Sequence, residues 1–151
     1  MSIVYKPISA FQTHSLRQRI LRPQQPIQEM VYPHDDNPDS FHIGAFLGDR
    51  IVGIASIYTE SPEGEMGFGD WRLRGMAVEE EMRGRDLGKE LVNACLKHVS
   101  MKKGARLWCN ARTPAMGFYF KLGFEKVGKE FDIEGIGPHY QAQSILEKTQ
   151  S

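Results

Sequence analysis

The segment "RGRDLGK", residues 83 to 89, gathers three cations, Arg83, Arg85 and Lys89, around two glycines, Gly84 and Gly88. It stands at the start of an apolar-periodic run, "ELVNACLKHV". Helical spacing puts Leu87, Leu91, Cys95 and Val99 on one face of that run and turns Lys89, Glu90 and Lys97 to water, so a helix begins between Asp86 and Gly88. The first turn of a helix carries unpaired N–H groups at the positive end of its dipole. Glycines that permit close backbone approach, with cations beside them, complete an anion site, and phosphate is the ligand of matching chemistry. A solvated basic turn is the other reading of the same residues. The P-loop pattern G-x-x-x-x-G-K-[ST] does not fit, because Gly84 and Gly88 enclose three residues and Glu90 follows Lys89. The dinucleotide pattern G-x-G-x-x-G is absent too.

Such a loop needs a strand ahead of it and a sheet beneath it. "SIVYKPIS" reads as a first strand, and "SAFQ" has the form of a capping box, Ser9 facing Gln12, that opens a helix through Leu21 with Phe11, Leu16 and Ile20 inward. "RPQQPIQEMVYPHDDNPDS" carries four prolines and a cluster of acids, which predicts a long exposed loop. "FHIGAFL" and "IVGIASIY" flank "GDR" as a hairpin. After a polar loop at 59–70, "WRLRGMAV" alternates Trp71, Leu73, Gly75 and Ala77 against Arg72, Arg74, Met76 and Val78, a central strand in which Gly75 marks a bulge or a close approach. "ARLWCNA" is a buried strand, "TPAMGFYFKLG" a short helix with Pro114 in its first turn and Gly123 as its stop, and "FEKVGKEFDI" and "HYQAQSIL" two last strands. The order is β-α-β-β-β-α-β-α-β-β: an α/β layout, mainly antiparallel, with one parallel pair in the middle.

Composition bounds the reading. The 151 residues suit one domain, 1–151, with a real core, and 19 Lys+Arg balance 19 Asp+Glu. Zero net charge argues against a general nucleic-acid binder, so a charged ligand is held locally. No apolar run approaches the roughly 18–20 residues of a membrane span, and "MSIVYKPISAFQTH" lacks a signal-peptide layout, which predicts a cytoplasmic protein with no membrane partner. Cys95 and Cys109 lie in apolar surroundings without metal-ligand spacing and read as buried thiols, and no metal is expected.

The loop resembles the pyrophosphate-binding loop of the GNAT superfamily of N-acetyltransferases, Gln/Arg-x-x-Gly-x-Gly/Ala at a strand-to-helix junction. Arg83, Leu87 and Gly88 follow it, and Asp86 stands where the middle glycine is usual. "TPAMGFYFKLGF" is similar to the family's A-x-x-F-Y-x-K-L-G-F signature through Ala115, Phe118, Tyr119, Leu122, Gly123 and Phe124. The two signatures span about residues 71 to 125, and "EGIGPHYQAQ" resembles the Gly-Ile-Pro-His ending of some members with one glycine inserted. The resemblance implies a GNAT-like mixed sheet flanked by helices, its central parallel strands splayed. It further implies acetyl-CoA as acyl donor and cosubstrate, a small-molecule or peptide amine as acceptor, and compatibility with a homodimer.

By the same resemblance, backbone groups of Met76, Ala77 and Val78 pair with the pantetheine arm and polarise the thioester carbonyl. Arg83, Gly84, Arg85, Asp86, Leu87, Gly88 and Lys89 hold the pyrophosphate, and Asn110 or Arg112 touches the arm. Tyr119 matches the tyrosine that protonates the departing thiolate, and a phenol with a pKa of ~10 keeps its proton at neutral pH. Some relatives carry a glutamate base on the fourth strand, where Arg72 stands here. Glu65, Glu134, His42, His139 and a water chain to solvent remain as candidate bases. His139 is preferred because imidazole titrates near neutrality and the family's last strand borders the acceptor cleft. Asp35, Asp36 and Asp39 could receive a cationic acceptor. Two further readings are a catalytically silent acyl-CoA-binding module and a ping-pong acyltransferase acylated on Cys109.

Overall fold

The computed structural model describes residues 2–65 and 69–146, so the polar loop expected at 59–70 falls partly outside the described residues. The strands are β1 (Ile3–Pro7), β2 (Phe41–Leu47), β3 (Arg50–Tyr58), β4 (Asp70–Val78), β5 (Arg106–Arg112), β6 (Glu125–Ile133) and β7 (Gly137–Ile145). The helices are α1 (His14–Leu16), α2 (Leu87–Met101) and α3 (Met116–Lys121). One sheet runs β1-β2-β3-β4-β5-β7-β6. Every neighbouring pair is antiparallel except β4 and β5, whose parallel register covers only Asp70↔Arg106 to Arg72↔Trp108. Beyond it, residues 73–78 of β4 and 109–112 of β5 part, and a cleft opens between them.

The main core lies between the sheet and α2. Leu87, Leu91, Cys95 and Val99 are buried, as helical spacing predicts, and pack with Ile57, Leu73 and Leu107 from the strands. Full burial of each such aliphatic side chain contributes roughly 1.5–3 kcal/mol, which fixes α2 and its N-terminus over the splay.

Gly75 is the bulge that the sequence suggests, with a left-handed φ of 64°. Ile54 faces Ala77 and Ser56 faces Arg74, so two β4 residues oppose Ala55 alone. The bulge corrects the expected alternation. Trp71 and Leu73 join the α2-side core, but so do Met76 and Val78, whereas Ala77 packs on the opposite face with Leu16 and Ile54.

That opposite face is covered by residues 11–21, and here too the sequence reading needs correction. The capping box forms as expected: Ser9 N–H donates to Gln12 Oε1 at 2.8 Å and Gln12 N–H to Ser9 Oγ at 3.3 Å. The chain does not continue as one regular helix. It passes from a 3-10 turn (Phe11–Thr13) through α1 to a π turn (Arg17–Leu21), where Arg22 N–H reaches Arg17 O at 3.0 Å. The angular step per residue changes along the segment, so a single helical phase fails, and Phe11 is 79% exposed instead of facing inward.

The π turn aims Arg17 into the protein, where it is wholly buried. Its guanidinium donates to Asp35 Oδ2 at 2.6 Å and Oδ1 at 3.0 Å, to Met30 O at 2.8 Å, and to Ser56 Oγ and Tyr58 Oη at 3.0 Å each. Tyr58 O–H donates to Asp35 in turn, and Tyr32 N–H does so at 2.8 Å. His42 Nε2 meets the Asp35 carbonyl at 3.1 Å, and because a carbonyl only accepts, that nitrogen carries hydrogen and Ser56 O–H donates to Nδ1 at 2.6 Å. Asp35 is therefore the counter-ion of Arg17 and not a receptor for a cationic acceptor; Asp36 and Asp39 are exposed.

Burial pushes the Asp35 carboxyl up, but the hydrogen bonds from Arg17, Tyr58 and Tyr32 outweigh it and hold it below the usual carboxylate range. A depressed folded-state pKa contributes stability above the unfolded pKa of ~3.9 that disappears as pH falls toward the folded value. Asp35→Asn, which strands the buried guanidinium, should cost on the order of 3–5 kcal/mol in urea unfolding at pH 7. The gap to wild type should narrow below about pH 4. A constant gap across that range would show that the carboxylate charge is not what stabilises the segment.

Candidate functional site

The cleft between β4 and β5 has a volume of about 1400 Å³ and collects most of the residues that the sequence singles out. Met76, Ala77 and Val78 form its β4 wall, Asn110 and Arg112 its β5 wall. Arg83, Gly84, Asp86, Leu87, Gly88 and Lys89 line the mouth; Arg85 is exposed and lies outside the lining. Of the four candidate bases, His139 alone borders the cleft. His42 is held in the Arg17 network, Glu65 lines a separate pocket with His34, and Glu134 is exposed in the β6–β7 turn.

At the mouth, Gly84 has a φ of 82° and nothing within 4 Å of where a Cβ would stand, so its backbone is open to a ligand. At Gly88 a Cβ would meet the Phe118 ring at 3.3 Å, so glycine there lets the first turn of α2 approach α3 closely. Asp86 is the N-cap residue of α2 with a left-handed φ of 63°, and its side chain makes no capping hydrogen bond. Its carboxylate is exposed and leaves the first-turn N–H groups uncapped. The backbone conformation explains why glycine suits this position and why Asp, among the L-residues most tolerant of it, can replace glycine.

Tyr119 comes from α3 and lines the cleft from the α2 side of the sheet, 7% exposed. Gly123, with a φ of 89°, ends the helical turn, and Phe124 N–H returns to Tyr119 O at 3.0 Å, which fixes the ring beside Phe118 and Phe124. The Cys109 thiol on β5 neighbours the Tyr119 hydroxyl. Burial, reinforced by Cys109, raises the Tyr119 phenol well above its usual value, and burial pushes the Cys109 thiol up to about 12. Both groups stay protonated at neutral pH.

His139 on β7 is 4% exposed and stacks on Phe131 at 6.0 Å. Its Nδ1 lies 2.8 Å from the carbonyl of Gly137. A carbonyl accepts only, so Nδ1 carries the hydrogen and the lone pair of the neutral ring sits on Nε2. Sequence reasoning did not assign three further lining residues, Tyr32, Arg74 and Ile136. The signal for Arg74 was present in its alternation with Leu73 on a central strand. Tyr32 and Ile136 reach the cleft from loops, where no periodicity marks them. Among the described residues no cluster of metal-binding side chains occurs, and no helix is long and apolar enough to cross a membrane.

Comparison with known proteins agrees with this architecture. The family model described as an acetyltransferase (GNAT) domain matches residues 8–139. The chain is 39% identical over 135 residues to the uncharacterized N-acetyltransferase YitI of Bacillus subtilis, covering 89% of this chain and 90% of that protein. It is 25% identical over 105 residues to the peptidyl-lysine N-acetyltransferase YjaB of Salmonella typhimurium, covering 69% and 70%. The fold is shared with Escherichia coli ElaA at a TM-score of 0.77 and 20% identity, over 94% of this chain and 99% of the other. An aminoglycoside 6'-N-acetyltransferase complexed with coenzyme A shares it at 0.70 and 17%, over 94% and 96%. The breadth of the family match, the similarity to YitI over nearly the whole length, and the splayed sheet together establish that the chain belongs to the GNAT family and is an acetyltransferase.

Proposed function

We propose that the cleft transfers an acetyl group from acetyl-CoA to a primary amine by direct attack, with both substrates bound together. The observation that carries this reading is convergence: the helix-mouth loop, the unpaired stretch of β4, Tyr119 and His139 come from four separate parts of the chain and border one cleft. Acetyl-CoA supplies a thioester carbonyl and a thiol leaving group. The fit to its pyrophosphate rests on the open backbone at Gly84 and on Arg83 and Lys89 at the N-terminus of a 15-residue helix. Residues 76–78 have no β5 partner and offer main-chain groups to an extended arm and to the thioester oxygen.

In the proposed chemistry His139 Nε2 receives the proton of the attacking amine while Tyr119 gives its own to the departing sulfur. A C–N bond forms, the C–S bond breaks, and the two protons are accounted for. The raised pKa of Tyr119 keeps the hydroxyl protonated at the outset. The ping-pong alternative is disfavoured, since Cys109 is buried and its thiol is pushed up to about 12.

Three variants test the assignments. Tyr119→Phe keeps the ring packing and should lower kcat by about 10²- to 10⁴-fold with little change in acyl-CoA affinity. A kcat within about threefold of wild type, with product release shown not to limit turnover, would leave Tyr119 a packing residue. His139→Gln should depress kcat most at neutral pH, with the loss eased as rising pH deprotonates the amine without help. A loss uniform across pH would contradict the base role. Asp86→Gly relieves a left-handed L-residue, and should leave urea stability unchanged or raise it by up to about 1 kcal/mol while calorimetry finds equal or tighter CoA binding. Weaker binding would mean that the carboxylate contributes to the site.

A further inference from the structure

The inner end of the cleft, on the side of the sheet away from α2, is cationic and apolar. Arg72 and Arg74 project there from β4, and Tyr32 closes it from the loop after the π turn. Among the described residues that line the cleft the one carboxylate is that of Asp86, which belongs to the mouth. Arg72 is paired with Glu60 at 2.9 Å, yet its Nε is buried without a hydrogen-bond partner. Arg74 has no ion pair and no side-chain hydrogen bond among the described residues; its guanidinium lies 4.8 Å over the Tyr32 ring. Burial and the neighbouring Arg72 both disfavour its charged form. A guanidinium with five donors, half withdrawn from water and facing a cleft, lacks the counter-charge that such groups ordinarily have.

Resting on the acetyl-transfer reading above, we infer that the acceptor is a primary amine that also carries an oxyanion, which Arg74 binds. A carboxylate or phosphate matches the planar fork of the guanidinium. Tyr32 supplies an aromatic wall beside Arg74, and Ile133, Ile136 and His139 line the same cleft farther along β5. Polycationic acceptors are excluded by the same charges. Arg74 is thus a specificity residue, and it leaves the chemistry at the thioester to other groups.

The test compares acetyl transfer from acetyl-CoA to β-alanine, phenylalanine and glutamate, each beside its carboxamide, with phosphoethanolamine and spermidine as the phosphate and polycation arms. Wild-type kcat/KM should favour at least one acid over its amide by about tenfold or more, through KM. Phosphoethanolamine outrunning every carboxylate would assign the oxyanion as phosphate and support the same site. Arg74→Met should bring the acid-to-amide ratio near one, with melting temperature and CoA affinity unchanged, and Arg74→Lys should restore part of it. Preference for amides or spermidine, or a ratio unmoved in Arg74→Met, would overturn the inference while leaving acetyl transfer intact. Should no amine be acetylated, saturation-transfer NMR of the same compounds on the CoA complex decides. Binding of an oxyanion-bearing amine that Arg74→Met abolishes upholds the inference though the transfer reading fails; no such binding overturns it.

Discussion

The left-handed backbone at Gly75 is the constraint on which the site depends. A side chain at this position would strain the backbone and press on Tyr32 at 3.2 Å and Arg17 Nε at 3.3 Å. The bulge that Gly75 permits inserts one residue into β4 and exchanges the faces of the strand. Ahead of it, Arg72 and Arg74 point away from α2; after it, Met76 and Val78 point toward the main core. One strand thereby presents charge on one side of the sheet and a main-chain edge with apolar side chains on the other, within a few residues. The parallel register with β5 has already ended at Arg72, so the exchange happens where the sheet is open.

The Arg17–Asp35 network anchors the other side of this opening. It ties the π turn to the loop after it and to Ser56 and Tyr58 on β3, and Tyr32, whose N–H also bonds Asp35, carries both Arg17 and Arg74 against its ring. A buried ion pair is costly to desolvate, and its return comes from complete hydrogen bonding, which Asp35 achieves and Arg17 achieves at all but Nε. The consequence for function is rigidity: a segment with little regular helix is held in place beside the cleft by one guanidinium.

Regular elements were legible in the sequence because their signals are local. The buried face of α2, the Ser9–Gln12 capping box, the β2–β3 hairpin and the stop at Gly123 each follow from spacing within a few residues. Gly75 was legible as an irregularity, yet the reversal of faces after it was not, since alternation counts residues and a bulge adds one. Phe11 was misplaced because residues 11–21 change helical pitch twice. Asp35 looked like a surface acid among prolines; its partner lies 18 residues away, and only tertiary structure joins them. The loop at 83–89 shows its anion-site chemistry in its own residues and Tyr119 carries a family signature, whereas Arg74 and Tyr32 belong to no signature.

The central claim is that the unpaired stretch of β4 after the bulge receives an extended cosubstrate arm as a neighbouring strand would. Residue-resolved amide hydrogen exchange, with and without saturating coenzyme A, measures this directly. The account predicts slowed exchange concentrated at Met76–Val78 and at the first-turn amides of α2, with β1 and β2 unaffected. Coenzyme A binding that leaves the 76–78 amides unprotected would contradict it.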